Sequence, residues 1–106
     1  MFPRVAVIIL SYNSRQDLPD CLSSLAVVMY PADRYQVVVV DNGSTDGSQS
    51  FVEDRYGNNE KVTIISNNIN YGVPGGRNIG LKQSKGDFVI FLDNDAIVDS
   101  HWIEGL

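Results

Sequence analysis

Cysteine is nearly missing from this chain. Cys21 is the single one among 106 residues, so no internal disulfide can form, and a reducing compartment fits. Histidine is equally scarce: His101 has no ligand partner near it in sequence and reads as a surface or helix-start residue. There is no block of basic residues. The formal net charge is -5, from 13 acidic and 8 basic side chains, which argues against nucleic acid as a partner. An anionic ligand would have to be held by backbone N–H groups, a few basic residues or a metal. Long apolar runs are absent too. Val5 to Leu10 is far too short to span a bilayer, and Met1-Phe2-Pro3-Arg4 lacks the form of a signal peptide. The chain therefore reads as cytoplasmic, and peripheral contact with the inner face of the membrane is compatible with that. No repeat and no low-complexity segment interrupts it. What is present, 43% hydrophobic and 20% charged residues, is ordinary for one soluble domain with a usable core.

Val5 to Leu10 has the continuous apolar, β-branched character of a strand covered on both faces. A helix is expected next, capped by Asp17, with Pro19 in its first turn and Leu18, Leu22, Leu25 and Met29 along one stripe. Pro31 stops it. Tyr35 to Val40 reads as a second buried strand, followed by a helix with Asp46 as N-cap and Gln49 three residues on. Phe51, Val52 and Tyr56 form its apolar side and Gly57 closes it. Val62 to Ile65 is a shorter strand, Pro74 to Lys85 a third helix, and Phe88 to Leu92 a fourth strand. Asp99 or Ser100 suits the cap of one more helix. This alternation predicts an open α/β sheet, Rossmann-like and mainly parallel, with helices on both faces. Ligands of such sheets sit beyond the carboxyl ends of the strands.

Those ends are unusually polar. The first strand delivers Ser11-Tyr12-Asn13, the second Asp41-Asn42, the fourth Asp93-Asn94-Asp95. Residues two apart in an extended segment point the same way, so Asp93 and Asp95 can face one site. Carboxylates that close repel each other unless a cation sits beside them. Mg²⁺ suits one or two carboxylates plus substrate phosphates, and Mn²⁺ accepts similar ligands. The plainer reading is a strand-end turn in which one Asp caps the backbone. Asp41 can accept the imide N–H of uracil or thymine, or simply serve a turn ahead of Gly43. Tyr12 can stack on a base, or cover the sheet edge.

Asn70 to Gly80, NYGVPGGRNIG, places Gly75, Gly76 and Gly80 in a predicted helix, where each costs about 1 kcal/mol against Ala. Small residues at a helix N-terminus let an anion approach its N–H groups. Gly80 would instead permit close helix–sheet packing. Arg77 adds a positive charge near that anion, unless the segment is a loose loop with Arg77 solvated. The glycine order does not match the dinucleotide fingerprint, so a nicotinamide enzyme is not expected. Cys21 falls near the buried side of its helix and reads as a small hydrophobe. Trp102 reads as a packing residue.

VAVIILSYN, VVVVDNGSTDGS, NYGVPGGRNIG and FVIFLDNDAIV, in that order, resemble the family 2 inverting nucleotide-sugar glycosyltransferases of GT-A fold. The likeness runs from Val5 to about Trp102. It implies that Ser11, Tyr12 and Asp41 hold the nucleoside base and that Arg77 is the basic group near the nucleotide. It further implies that Asp93-Asn94-Asp95 is the DxD motif, its first Asp near the ribose and its last on a divalent metal, Mg or Mn. The partners so implied are a UDP- or dTDP-linked sugar and a saccharide or lipid-linked acceptor, in bacterial polysaccharide or glycolipid synthesis. GVPGGRNIG is similar to members that transfer rhamnose or related sugars. The family mechanism is one in-line displacement with inversion. Its general base and acceptor surface lie after the DxD, so the base is expected beyond Leu106. Residues 1–106 then form the N-terminal nucleotide-sugar-binding portion, a truncated GT-A fold without the acceptor-binding portion, inactive alone.

Two other readings stand beside it. A haloacid-dehalogenase-type phosphatase also carries Asp-x-Asp after an apolar strand, but normally after the first one and with further Lys and acidic groups downstream. A non-catalytic nucleotide-binding module, or a fragment that self-associates through an exposed apolar face, is compatible with the same residues.

Overall fold

The computed structural model describes residues 2–105. Its elements run β1 (Val5–Ser11), α1 (Leu18–Ala26), β2 (Tyr35–Asp41), α2 (Ser48–Tyr56), β3 (Val62–Ser66), α3 (Gly72–Gln83) and β4 (Phe88–Leu92), with a single 3-10 turn at Ala32–Arg34 ahead of β2. All described strand pairs are parallel, and the sheet order is β3-β2-β1-β4. The expected open α/β sheet is therefore present.

Strand periodicity sorts the core into two sides. Val5, Val7 and Ile9 of β1, with Val37 and Val39 of β2, meet Leu18, Leu22 and Leu25 of α1 and Val52 and Tyr56 of α2. Ile8, Val38 and Val40 face the other way, against Ile79 of α3. Valine serves β2 well because both faces need a stiff, branched apolar side chain. The chain winds from β1 outward to β3, then returns under the sheet through α3 to place β4 on the far side of β1. The direction of winding reverses between β1 and β4, which is where such sheets open a crevice.

Gly80 makes the return possible. A Cβ there would lie 2.7 Å from Cγ2 of Ile8 and 3.1 Å from Cγ2 of Val40, so only glycine lets α3 sit this close. The expected close helix–sheet packing is thus realised. Gly76 shares that role, its missing side chain making room for Leu10 and Asn42.

Several local expectations are corrected. α1 ends at Ala26, and Met29 is exposed rather than part of the buried stripe. Asp17 makes no side-chain cap bond. α2 starts at Ser48 after Gly47, whose φ of 89° an L residue adopts only with strain. Asp46 caps from one position further out, accepting the Ser48 N–H at 3.0 Å. Gln49 points away from it to Asp41, so no reciprocal capping box forms. α3 begins two residues before Pro74. Residues 100–105 form turns, not a helix. Trp102 packs against the larger core cluster, and Cys21 is buried, as expected.

Candidate functional site

The carboxyl ends of β2, β1 and β4 lie side by side, with β1 in the middle. Ser11 is in register with Asp41, and Ile9 with Leu92. Adjacent strands are about 4.8 Å apart, so the tips of β2 and β4 are separated by only about 10 Å. The polar clusters predicted at three strand ends thus occupy one edge.

Over β1 and β2 the arrangement is rigid. Asp41 is only 2% exposed. Its carboxylate accepts the Ser44 N–H at 2.8 Å, the Ser44 hydroxyl at 2.7 Å and the Gln49 amide at 2.8 Å. Three of about four acceptor positions are taken, leaving one for a ligand donor. Asn13 adopts a φ of 50°, its side-chain oxygen accepts the Thr45 N–H, and its own N–H donates to the Ser44 hydroxyl. The loops after β1 and β2 are thereby sewn together. Tyr12 stands at their lip, 49% exposed, with its ring free for contact. The Ser11 hydroxyl is buried beside Asp41 in register and has no hydrogen-bond partner.

Asn42 ties this region to α3. It is 2% exposed. Its amide nitrogen donates to the Gly72 carbonyl at 3.0 Å, and its oxygen accepts the Asn67 amide at 3.1 Å and, more weakly, the Tyr71 N–H at 3.4 Å. A side chain at the end of β2 therefore sets where α3 begins. Gly75 and Gly76 lie in the turns that follow, Gly76 buried.

Over β1 and β4 lies an open cleft of about 330 Å³, lined among others by Leu10, Val73, Arg77, Phe91, Asp93 and Asp95. It coincides with the switch point between β1 and β4. Arg77 is exposed, and its guanidinium lies 5.1 Å from the centroid of the Phe91 ring, a cation–π contact that orients the charge. Among the described residues no carboxylate lies within 4.0 Å of it. Asn94 donates to the Leu10 carbonyl at 3.1 Å, and the Ala96 N–H to the Asp93 carbonyl. This turn leaves Asp93 and Asp95 exposed on the cleft. Cys21 lies beneath, its thiol 3.7 Å from the Asp93 carbonyl. Burial, helped by the charge of Asp95, pushes that thiol up to about 11.

Asp93, Asp95 and Arg77 share this cleft. Ser11, Tyr12, Asn13, Asp41, Asn42, Gly75 and Gly76 adjoin it along the same edge without lining it. The supporting groups Ser44, Gln49, Asn67 and Phe91 escaped the sequence reading. Ser44 alone had a local signal, standing three residues after Asp41 in a turn-forming stretch. Among the described residues no three His, Cys, Asp or Glu side chains converge as metal ligands. Two carboxylates on one open cleft fit a hard divalent cation that completes its shell with phosphate and water.

Residues 6–106 match the family model for Glycosyl transferase family 2, and the chain belongs to that family. Poly(ribitol-phosphate) beta-N-acetylglucosaminyltransferase TarS of Staphylococcus aureus is 36% identical over 102 residues, covering 95% of this chain and 18% of TarS. Glycosyltransferase AglE of Haloferax volcanii is 34% identical over 102 residues, covering 96% of this chain and 34% of AglE. Among solved structures, S. aureus TarS 1-349 in complex with UDP-GlcNAc superposes with a TM-score of 0.86 at 35% identity, over 96% of this chain and 29% of that one. Mannosyltransferase PcManGT from Pyrobaculum calidifontis, in complex with GDP-Man and Mn²⁺, gives 0.83 at 32% identity, over 90% and 28%. The fold is GT-A, and the chain spans well under half the length of these relatives.

Proposed function

We propose that residues 1–106 are the nucleotide-sugar-binding portion of an inverting, metal-dependent glycosyltransferase. The observation that carries this reading is the cleft at the β1/β4 switch point, where a family 2 chain gathers Arg77, Asp93 and Asp95. Ser11, Tyr12 and the remaining acceptor position of Asp41 take the base, with Asn13 and Asn42 holding the loops around it. Arg77 faces the diphosphate from α3, while Gly75 and Gly76, packed on Tyr71 and on Leu10 and Asn42, set how close that helix sits to the nucleotide. Asp93 serves the ribose and, with Asp95, would ligate Mg²⁺ or Mn²⁺. Such an ion, when bound, supplies positive charge to the departing diphosphate.

In the reaction an acceptor hydroxyl oxygen forms a bond to the anomeric carbon as the bond from that carbon to the diphosphate oxygen breaks. The hydroxyl proton passes to a general base that no residue of this chain provides. The donor is a UDP- or dTDP-sugar. This is supported by the likeness to a UDP-GlcNAc complex, and the PcManGT complex makes a guanine donor the comparison to run. The acceptor is a saccharide or lipid-linked hydroxyl compound in surface-polysaccharide or glycolipid synthesis, made in the cytoplasm. Exposed Phe88, Phe91 and Ile97 favour self-association of the isolated chain.

Calorimetric titration of UDP, dTDP and GDP, each with and without Mn²⁺, tests the reading. Pyrimidine nucleotides should bind more tightly with the metal. Asp95→Ala should remove that enhancement, a loss of about 10- to 100-fold for a charged contact. Unchanged metal dependence in that variant would overturn the ligand assignment. Acceptor-dependent sugar transfer by the purified chain would overturn the claim that the base lies elsewhere.

A further inference from the structure

At the opposite end of the strands lies a larger open groove of about 840 Å³. It crosses the start of β1 and β2 and the approach to β3. Arg4, Arg34, Lys61 and Lys85 line it, half of the 8 basic residues of the chain. Asp33 and Glu60 also line it, and Asp87 stands next to it, accepting the Arg4 N–H at 3.0 Å. Cations still outnumber acids in the groove lining, although the whole chain carries a net charge of -5. Among the described residues none of these four cations has a carboxylate within 4.0 Å. Like charges gathered without partners repel each other, and an anionic ligand relieves that repulsion.

The floor of the groove is firm. Gln36 donates to the Thr63 hydroxyl at 2.9 Å and to the Gln83 carbonyl at 3.2 Å, and accepts the Lys85 N–H at 2.9 Å. Apolar side chains stand exposed at the same end: Phe2, and Val27 and Met29 just past α1. Phe2 packs edge-on against Tyr30, whose hydroxyl donates to the Pro3 carbonyl. Cations beside exposed aromatic and aliphatic groups match a lipid interface, where phosphates meet the charges and apolar side chains enter below the headgroups. A soluble polyanion would use the charges alone.

We propose that this amino-end face docks peripherally on an anionic lipid surface. No described helix is long and apolar enough to cross a membrane. Strands of seven residues separate the two ends by about 23 Å, so the carboxyl-edge cleft stays open while the chain is docked. The surface is independent of the nucleotide-sugar reading, since its residues are absent from that cleft.

Sedimentation with phosphatidylglycerol-rich vesicles tests it, with phosphatidylcholine vesicles and inorganic polyphosphate as comparison probes. Binding should be confined to the anionic vesicles and weaken as salt rises. Lys61→Ala and Lys85→Ala, both at exposed positions, should each reduce partitioning about fivefold. Phe2→Ser with Met29→Ser should also weaken it without any change of charge. UDP affinity and melting temperature should not move in these variants. Equal binding to neutral vesicles, indifference to the lysine changes, or binding to polyphosphate without binding to vesicles would each overturn the proposal.

Discussion

Asn42→Ala is the substitution whose consequences the structure allows to be worked out most fully. The side chain is 2% exposed, and its bonds to Gly72 and Asn67 are part-buried. Truncation removes two good hydrogen bonds and one long one, and strands the Gly72 carbonyl and the Asn67 amide. A net hydrogen bond is worth about 1 kcal/mol, and a buried polar group left unpaired costs about 1 to 3 kcal/mol. The sum is about 2 to 4 kcal/mol, a large part of the roughly 5 to 15 kcal/mol that holds a domain of this size together. In thermal unfolding followed by circular dichroism, a loss of 3 kcal/mol should lower Tm by about 12 to 24 °C. Asn42→Asp sharpens the test. A carboxylate can still accept from Asn67 and Tyr71 but faces the Gly72 carbonyl with no donor, so the Tm deficit of this variant against the parent chain should be smaller at acid than at neutral pH. The exposed Asn68→Ala should shift Tm by no more than a few degrees. If Asn42→Ala melts with the parent chain, Asn42 does not anchor the start of α3.

Three further outcomes are expected. Gly80→Val should destabilise by about 1 to 3 kcal/mol, read by urea denaturation, because branched carbon must enter the space held by Ile8 and Val40; full retention of stability would show that α3 can lift off the sheet freely. Cys21 should resist a thiol reagent in the native chain at neutral pH and react on unfolding, since burial raises its pKa to about 11. The neutral thiol then supports the fold fully below about pH 8.5, and that support is lost as pH rises through 11, so Cys21→Ala should flatten the alkaline limb of stability. Slight burial pushes Asp46 up, but bonds from the Ser48 hydroxyl and from the Arg15 and Ser48 N–H groups outweigh it and hold the carboxyl below its ordinary range. Its contribution is present above the unfolded value of about 3.9 and is lost as pH falls through the folded one, so Asp46→Asn should soften the acid transition; an unaltered acid limb would show the bonds to be inconsequential.

Much of this molecule could be read directly along the chain. The runs Val5 to Leu10 and Val37 to Val40 announced strands buried on both faces, because apolar side chains on successive residues leave neither face for water. The polar residues that end those runs marked the edge on which the candidate site is proposed. Helix limits were less legible. Met29 satisfied the stripe of α1, yet the chain leaves the helix after Ala26, since spacing alone does not say when tertiary contacts stop repaying another helical turn. Asp46 and Gln49 matched a capping box, but Gln49 is drawn instead to Asp41 and the Asn67 carbonyl, partners supplied by the fold.

The sequence by itself determined the alternation of strands and helices, the family motifs and the chemical character of the strand ends, because these depend on local pattern and on residue type. Only the tertiary structure decided that β4 lies beside β1 rather than beyond β3, which opens the crevice and brings Arg77 to Asp93 and Asp95. It also decided that Asn42 holds the start of α3 and that four scattered cations meet at the far end. The physical reason is the same in each case. Hydrophobic burial rewards any arrangement that covers both faces of the sheet, whereas strand order is set by long-range packing, here by the glycines that let α3 return beneath β1 and β2.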